Sequence, residues 1–204
     1  MIAIIDYGAG NIQSVAKALT HIGCDCLVTR NKDEILKADG AVLPGVGSFG
    51  DTVDSLNKYG IKDAIKEYIA SGKPFLGICL GMQLLFPASG ESPEAEGLGI
   101  YEGSITRIPN GEGLKIPHMG WNSLDINPES RLFKGIGKNP YVYFVHSYFL
   151  HAADRELVAA TTEYGVTIDA AVERGNVFAT QFHPEKSGET GLRILRNFAE
   201  IVEG

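Results

Sequence analysis

The sequence predicts an α/β protein with a single domain, residues 1–204. Helices flank a central, mainly parallel sheet, and an additional, more antiparallel strand region follows in the second half. Two observations lead to this prediction. Strand-like and helix-like segments alternate through roughly the first eighty residues, which implies right-handed crossovers between parallel strands. Short strand-like runs then follow one another. The chain has no linker rich in Gly, Ser or Pro and no internal repeat that would divide it.

Apolar patterning and a cap predict the elements at the start of the chain. In order, they are a strand at 1–6, a helix at 11–21, a strand at 24–29, a short helix from 31 and a buried strand at 41–43. The side chain of Asn31 can cap the short helix, and Glu34, three residues later, would complete a capping box.

The segment that leads to Cys79 has the pattern of an amphipathic helix followed by a strand. Apolar residues at 61, 64, 65, 68 and 69 fall at i, i+3, i+4, i+7 and i+8, which is the stripe of a helix packed on one face. Gly72 ends this helix, and Pro74 begins a strand that leads to Cys79.

The second half is predicted to contain a loop, several strands and a closing helix. Residues 87–99 combine Pro, Gly and Glu and indicate a surface loop. Strand-like runs lie near 100–108, 141–146, 156–161, 167–173 and 176–182. An apolar stripe then predicts the last helix, at Leu192, Leu195, Phe198, Ala199 and Val202.

Composition excludes several classes of function. The net charge of −7 argues against a broad nucleic-acid or anionic-membrane surface, and no apolar run is long enough to cross a bilayer. The N-terminus has the pattern of a first strand rather than a signal peptide. Three cysteines without framework spacing favour a reducing cytoplasm. Cys24 and Cys26 lie near His21, but no second cluster supplies further ligands, so strand packing is the favoured role and no metal is expected.

The most informative motif is Gly77-Ile78-Cys79-Leu80-Gly81, which follows a short apolar run. This is the pattern of a nucleophile elbow, a sharp strand-to-helix turn that presents its central side chain above the end of a sheet. The flanking glycines allow the tight bend, and a helix N-terminus favours thiolate over thiol. We therefore predict a reactive thiolate at Cys79; the alternative is a buried cysteine that packs as a small hydrophobe.

A cysteine nucleophile needs a base, and His183 is the candidate. In Gln181-Phe182-His183-Pro184-Glu185, a carboxylate lies two residues after the histidine, on the same face if the backbone is extended. Glu185 would then bind one ring nitrogen and leave the other for the thiol. Because this motif also follows a buried strand, both motifs are expected at the same edge of the sheet.

The glycine-rich segment from Pro44 to Gly50 predicts an oxyanion hole. A turn at the end of the third strand can supply a peptide N–H from Val46 or Gly47, and Leu80, just after the nucleophile, can supply another. The same segment matches the dinucleotide fingerprint G-x-G-x-x-G, but it follows the third strand and lacks the expected acidic partner. The run Gly8-Ala9-Gly10 follows the first strand but has no third glycine. No cofactor is expected.

Together, the three motifs resemble the class I, or triad-type, glutamine amidotransferases, which hydrolyse the γ-amide of L-glutamine to glutamate and ammonia. The resemblance implies that Cys79 is the nucleophile of a γ-glutamyl thioester, that His183 is the general base and then acid, and that Glu185 orients it. It further implies that the glutamine pocket is lined by Gly47 and Gln83, with the backbone of Ser147 and Tyr148 holding the amino-acid end of the substrate.

Three further segments, at 6–11, 117–122 and 143–148, are similar to members of this family that serve histidine biosynthesis. The resemblance implies a heterodimer with a (β/α)8-barrel cyclase subunit. That partner uses the ammonia to form imidazole glycerol phosphate and aminoimidazole carboxamide ribotide. Asn11, Trp121 and Tyr143 are expected at or near the docking face, although Trp121 as a core residue is the alternative.

Three other functions remain open on the sequence alone. The chain can be the glutaminase of another amidotransferase, a non-catalytic binding member of the same fold, or a cysteine hydrolase with a different substrate. Without its acceptor subunit the chain is expected to be a poor glutaminase, because the turn at 44–47 can reorient a peptide N–H when a partner binds.

Overall fold

The structure is a computed structural model that describes residues 1–8 and 11–204. The elements of the first half are β1 (Ile2–Ile5), α1 (Ile12–His21), β2 (Cys26–Thr29), α2 (Lys32–Lys37), β3 (Gly40–Gly45), α3 (Phe49–Lys58), α4 (Lys62–Ala70), β4 (Phe75–Cys79) and α5 (Leu80–Gln83). The elements of the second half are β5 (Gly103–Arg107), β6 (His118–Ser123), β7 (Asp125–Ile126), β8 (Tyr141–His146), β9 (Tyr148–Ala152), β10 (Val158–Glu163), β11 (Thr167–Arg174), β12 (Val177–Thr180) and α6 (Gly188–Glu203), with 3₁₀ turns at Arg155–Leu157 and Pro184–Lys186.

The predicted fold class is confirmed. Strands β2, β1, β3, β4 and β12 run parallel in that order and form the centre of one sheet, which continues antiparallel through β11, β10 and β7. Strands β5 and β9 join the same sheet beside β11, and β6 and β8 form a separate antiparallel pair. Apolar side chains form two large clusters that contain the buried faces of the sheet and its helices, as expected when helices cover both sides of parallel strands.

The sheet places the two chemically informative motifs at one edge. Strand β4 ends at Cys79, paired with Gly45 at the end of β3, and β12 ends three residues before His183. Because parallel strands share one direction, their carboxyl ends meet at the same edge, which is where open α/β sheets bind ligands.

Several elements differ from the sequence prediction. Helix α3 was not predicted, because its first residues were interpreted only as a glycine-rich turn; Ser48 caps it by accepting a hydrogen bond from the N–H of Asp51. Asn31 caps α2 as predicted, but the capping box is wrong: the Glu34 carboxylate accepts from the Thr29 hydroxyl. Strands β6, β7 and β9 were also missed.

The segment at 87–99 is a loop, as predicted, but it is not wholly a surface loop. Ser89, Ser92 and Leu98 are buried, and Ser89 bridges to Ile105 of β5. In the part of the chain that the structure describes, no helix combines the length and the apolar character needed to cross a membrane.

Candidate active site

Cys79 lies at the sharp turn between β4 and α5. Its backbone has φ of 54° and ψ of −107°, a conformation that costs energy in an L-residue and that is typical of a nucleophile elbow. The flanking glycines are required by close packing. A Cβ on Gly77 would lie 2.6 Å from the carbonyl oxygen of Gly81, and one on Gly81 would lie 2.0 Å from that of Leu43.

Helix α5 is shorter than the elbow pattern suggests. It covers only Leu80–Gln83, a single turn, so its dipole is small. A charged neighbour is therefore a better source of thiolate stabilisation at Cys79 than the helix terminus.

That neighbour is His183, which pairs with Glu185 as the sequence indicates. The ring Nδ1 lies 2.8 Å from Glu185 Oε1, and both side chains are buried. The backbone geometry that brings Glu185 to the His183 ring differs from the predicted extended strand. His183 itself is extended, but the next three residues, Pro184–Lys186, form a 3₁₀ turn, and this turn rather than a straight strand brings the carboxylate to the ring.

The environment of His183 favours its charged form. Burial alone would lower the pKa, but the interactions with Cys79 and Glu185 outweigh burial and raise the pKa of His183 to about 10. Within residues 1–8 and 11–204, the second ring nitrogen, Nε2, has no hydrogen-bond partner of good geometry. Nε2 is therefore the ring nitrogen that remains for proton transfer in the cavity that His183 shares with Cys79.

Two amide side chains that were not predicted in these roles contact the three residues. Asn11 donates a hydrogen bond from Nδ2 to Glu185 Oε1 and lies 3.5 Å from His183 Nδ1. Gln181 Nε2 lies 3.6 Å from the Cys79 sulfur. The signal for Gln181 was present, because a residue two positions before His183 shares its face at the end of a strand. Asn11 had been expected at the docking face, and that role stays a prediction; its half-buried side chain bonds to the Glu185 carboxylate.

The turn after β3 lies next to the nucleophile. Val46, Gly47 and Leu80, whose peptide groups are predicted to stabilise an oxyanion, line the same cavity as Cys79. Gly47 has φ of 102°, a region that favours glycine. Gly45 packs so closely that a Cβ on it would lie 2.6 Å from Leu80 Cβ. This contact fixes the start of the turn against the elbow.

The cavity has a volume of about 340 Å³ and contains every predicted glutamine-binding residue: Gly47, Gln83, Ser147 and Tyr148. Such a volume lies in the usual range for a small-molecule site. Glu91, Pro117, Val145 and His146 also line it and had been given no role. Glu91 accepts a hydrogen bond from the N–H of Phe49, so the loop at 87–99 contributes to the wall of the site.

Larger hollows lie elsewhere on the surface, and two of them are much larger. One, of about 750 Å³, is bordered by residues 124–139, and another, of about 640 Å³, lies beside Arg131 and Glu173. Their linings contain no cysteine or histidine, so the smaller cavity at Cys79 is the better candidate for chemistry.

The structure does not favour the other ligand sites that the sequence suggested, namely the two glycine-rich dinucleotide patterns and a metal site at Cys24 and Cys26. The segment at 45–50 opens α3 and borders the Cys79 cavity, while Ala9 and Gly10 of the other glycine run lie outside the described residues. Cys24 and Cys26 pack against the core beside α1 and β2, and the described residues contain no group of three or more metal-binding side chains.

Trp121 is not a core residue. Its side chain is 55% exposed, and Met119 and Tyr141 on the same two-stranded sheet are 62% and 60% exposed. Trp121 pairs with Tyr143 across β6 and β8. The two rings meet edge to face, with their centroids 6.2 Å apart. The ribbon formed by β6 and β8 therefore presents an aromatic face to solvent, the kind of surface that is common in protein interfaces.

The fold and this site define a class of protein, and comparison with known proteins identifies the same class. Residues 3–202 match the model of the family described as glutamine amidotransferase class-I, and the chain belongs to this family.

Among individual proteins, the chain is similar to those named imidazole glycerol phosphate synthase subunit HisH. It is 51% identical over 203 residues to that of Caldanaerobacter subterraneus subsp. tengcongensis, covering 100% of this chain and 99% of the relative. It is 51% identical over 202 residues to that of Methanothermobacter thermautotrophicus, covering 99% of both. A crystal structure of a glutamine amidotransferase has the same fold, with a TM-score of 0.78, 22% identity and full coverage of both chains.

Proposed function

We propose that the chain is the glutaminase subunit of imidazole glycerol phosphate synthase, which hydrolyses L-glutamine and passes the ammonia to a cyclase subunit. The observation that carries the proposal is the cavity in which a strained cysteine faces a buried histidine–glutamate pair and a glycine-rich turn. Full-length identity of about half to proteins named as this subunit supports the choice within the family.

The proposed reaction begins at Cys79. With His183 as imidazolium, the sulfur is a thiolate that attacks the γ-carbonyl carbon of glutamine. Negative charge then develops on the carbonyl oxygen, where N–H groups from Val46 or Gly47 and from Leu80 stabilise it, by about 3–4 kcal/mol for each donor. His183 gives its proton to the departing nitrogen, which leaves as ammonia, and a γ-glutamyl thioester remains.

Hydrolysis of the thioester completes the cycle. Neutral His183 takes a proton from water, the resulting hydroxide attacks the thioester carbonyl, and glutamate leaves as the C–S bond breaks. The thiolate and the imidazolium are then restored. Glu185 keeps the imidazole oriented throughout, and Asn11 donates to the same carboxylate oxygen, Oε1, that His183 contacts.

The proposal includes a partner, because free ammonia is lost to solvent as ammonium. A cyclase subunit with a (β/α)8 barrel would dock on the face that contains Trp121 and Tyr143, with Asn11 at its border. The exposed aromatic surface of β6 and β8 supports this placement. Residues 1–204 then act as one amidotransferase domain of a cytoplasmic heterodimer.

The test is to measure glutamate release by the purified chain alone, with the cyclase subunit, and with the cyclase plus its ribotide substrate. We expect slow release by the chain alone and a large increase in the full mixture. Release that the cyclase never stimulates, combined with stimulation by a different acceptor subunit, would assign the chain to another amidotransferase. No release in any mixture would leave a non-catalytic member of the family.

A further inference from the structure

A continuous series of hydrogen bonds passes behind the glutamine pocket, and its centre is the carbonyl oxygen of Tyr148. This oxygen lies 2.9 Å from His146 Nδ1 and 3.0 Å from Gln83 Nε2. A carbonyl oxygen accepts hydrogen bonds and cannot donate them. His146 must therefore carry a proton on Nδ1, and Gln83 must present its amide nitrogen, not its oxygen, to Tyr148.

On the His146 side of the Tyr148 carbonyl, this requirement determines the tautomers of two histidines, His146 and His118. A neutral imidazole that donates from Nδ1 accepts at Nε2, and His146 Nε2 lies 3.0 Å from His118 Nδ1. His118 therefore also carries its proton on Nδ1 and accepts at Nε2, where Asn122 Nδ2 lies at 3.4 Å. The orientation of Asn122 agrees, because its Oδ1 accepts from the N–H of Ser123 and its Nδ2 donates to the carbonyl of Glu163.

On the Gln83 side of the Tyr148 carbonyl, the hydrogen bonds determine the orientation of two side-chain amides, Gln83 and Gln181, and extend to Cys79. The second N–H of Gln83 donates to Gln181 Oε1 at 2.9 Å. Gln181 consequently presents its own Nε2 to the Cys79 sulfur, at 3.6 Å. Both hydrogens of Gln83 are thus used inside the protein, and its Oε1 is the polar atom that remains for a ligand in the cavity.

The histidine pair is suited to a fixed, neutral state. His118 and His146 are buried, and His118 stacks between Phe144 and Tyr164, with ring centroids 4.6 Å and 3.9 Å away. Burial lowers the pKa of His118 to about 4 and that of His146 to about 3. A second proton on His146 would place donor against donor at the 3.0 Å contact with His118 Nδ1, and a second proton on His118 would do so at the 3.4 Å contact with Asn122 Nδ2.

We propose that His118 and His146 are positioning residues for glutamine binding. Through the Tyr148 carbonyl, they hold Gln83 with its Oε1 facing the cavity as an acceptor for N–H groups of the substrate. The same series directs the Gln181 amide at the Cys79 sulfur. This inference rests on the proposed glutaminase function. It adds the claim that affinity for glutamine depends on two histidines, one of which, His118, does not line the cavity.

Kinetics of variants in complex with the cyclase subunit test the claim. His118→Phe keeps the stacked ring but removes the N–H to His146, and His146→Leu removes the N–H to Tyr148. We expect each change to raise the KM for glutamine about tenfold, the effect of one lost hydrogen bond that orients a binding group, while kcat changes less than about threefold. His146→Asn can still donate to Tyr148 and should restore most of the affinity. The exposed His151 gives the matched control, and His151→Asn should change neither constant.

A spectroscopic measurement on the wild-type chain tests the hydrogen-bond pattern without any assay. Ring-nitrogen NMR at neutral pH should show both His118 and His146 as neutral rings protonated on Nδ1. A proton on Nε2 of His146, or unchanged KM in both His118→Phe and His146→Leu, would overturn the proposal. A wild-type complex that releases no glutamate would instead contradict the proposed function, and the NMR result would still decide the pattern.

Discussion

The two buried histidine groups of this protein have opposite charge states, although burial opposes the charged form in both. The pKa of His183 is raised to about 10, whereas those of His118 and His146 are lowered to about 4 and about 3. The partners differ. His183 bonds to a carboxylate and interacts with the Cys79 sulfur, while His118 and His146 contact each other and uncharged groups.

The comparison shows that the hydrogen-bond partner, and not the extent of burial, decides what a buried imidazole does. Beside groups that take a negative charge, the ring keeps a proton that it can transfer. Between a carbonyl and another imidazole, the ring is neutral and its two nitrogens have fixed directions. The first arrangement suits acid–base chemistry, and the second suits positioning.

The largest effect should come from removing the sulfur of Cys79. We expect Cys79→Ala to lower glutamate release by the complex by at least about 10⁴-fold, because no other group can form the thioester. The assay is glutamate production in the presence of the cyclase and its substrate. Cys24→Ser is the matched control and should retain full activity, since Cys24 precedes the amino end of β2 whereas Cys79 lies at the carboxyl end of β4. Equal loss in both variants would indicate misfolding rather than chemistry.

Removing the Glu185 carboxylate should make His183 more like the neutral pair, His118 and His146. Glu185→Gln preserves shape but lacks the charge that helps to raise the pKa of His183. The pKa of His183 should therefore fall from about 10 toward the range of the neutral pair, and kcat should fall about 10²- to 10⁴-fold. Ring-nitrogen NMR and the pH profile of kcat measure the two effects. An imidazolium that persists at pH 9 in this variant would assign the raised pKa to Cys79 alone.

Trp121→Ala should have a smaller effect and should separate docking from catalysis. Truncation of an exposed interface tryptophan typically costs about 2 kcal/mol or more, so we expect the Kd for the cyclase to rise about 30-fold. Titration calorimetry or fluorescence measures the change. The other face of the same strand pair contains His118 and His146, and their tautomers should stay unchanged. Unaltered affinity would remove Trp121 from the docking face.

The smallest effect concerns stability at acid pH. Folding lowers the pKa of His118 to about 4. Between about pH 6.5 and pH 4, His118 therefore binds a proton in the unfolded chain but stays neutral in the folded protein. This histidine therefore makes the free energy of unfolding fall as pH drops from 6.5 to 4. His118→Phe should make that decline shallower, measured by urea unfolding at each pH. His183, with its raised pKa, contributes in the opposite sense: its stabilisation is complete below pH 6.5 and disappears as pH rises toward 10.

The parts of the site that the sequence predicts are those determined by local geometry. Gly77 and Gly81 around Cys79 specify an elbow because adjacent backbone leaves no room for a Cβ. His183 and Glu185 are two residues apart, so their contact needed only a turn, although the turn is 3₁₀ and not an extended strand. Alternating strands and helices likewise specify a parallel sheet whose carboxyl ends meet.

The parts that were missed depend on contacts between distant segments. Asn11 reaches Glu185 across 174 positions, and His118 reaches His146 across 28, between strands of which β6 was not predicted. Nothing near Asn11 or His118 in the chain indicates these partners. Helix α3 was missed for a different reason: its first turn contains Gly50, which weakens the helical pattern, while Ser48 provides a cap that was not weighed.

The most direct test of the central claim is to identify the covalent intermediate. The complex is mixed with glutamine, quenched in acid during turnover and digested, and the cysteine-containing peptides are weighed by mass spectrometry. The account predicts one added γ-glutamyl group on the peptide with Cys79 and none on the peptides with Cys24 and Cys26. A glutamyl group on another residue, or rapid glutamate release with no acylated Cys79 under conditions that slow hydrolysis, would contradict it.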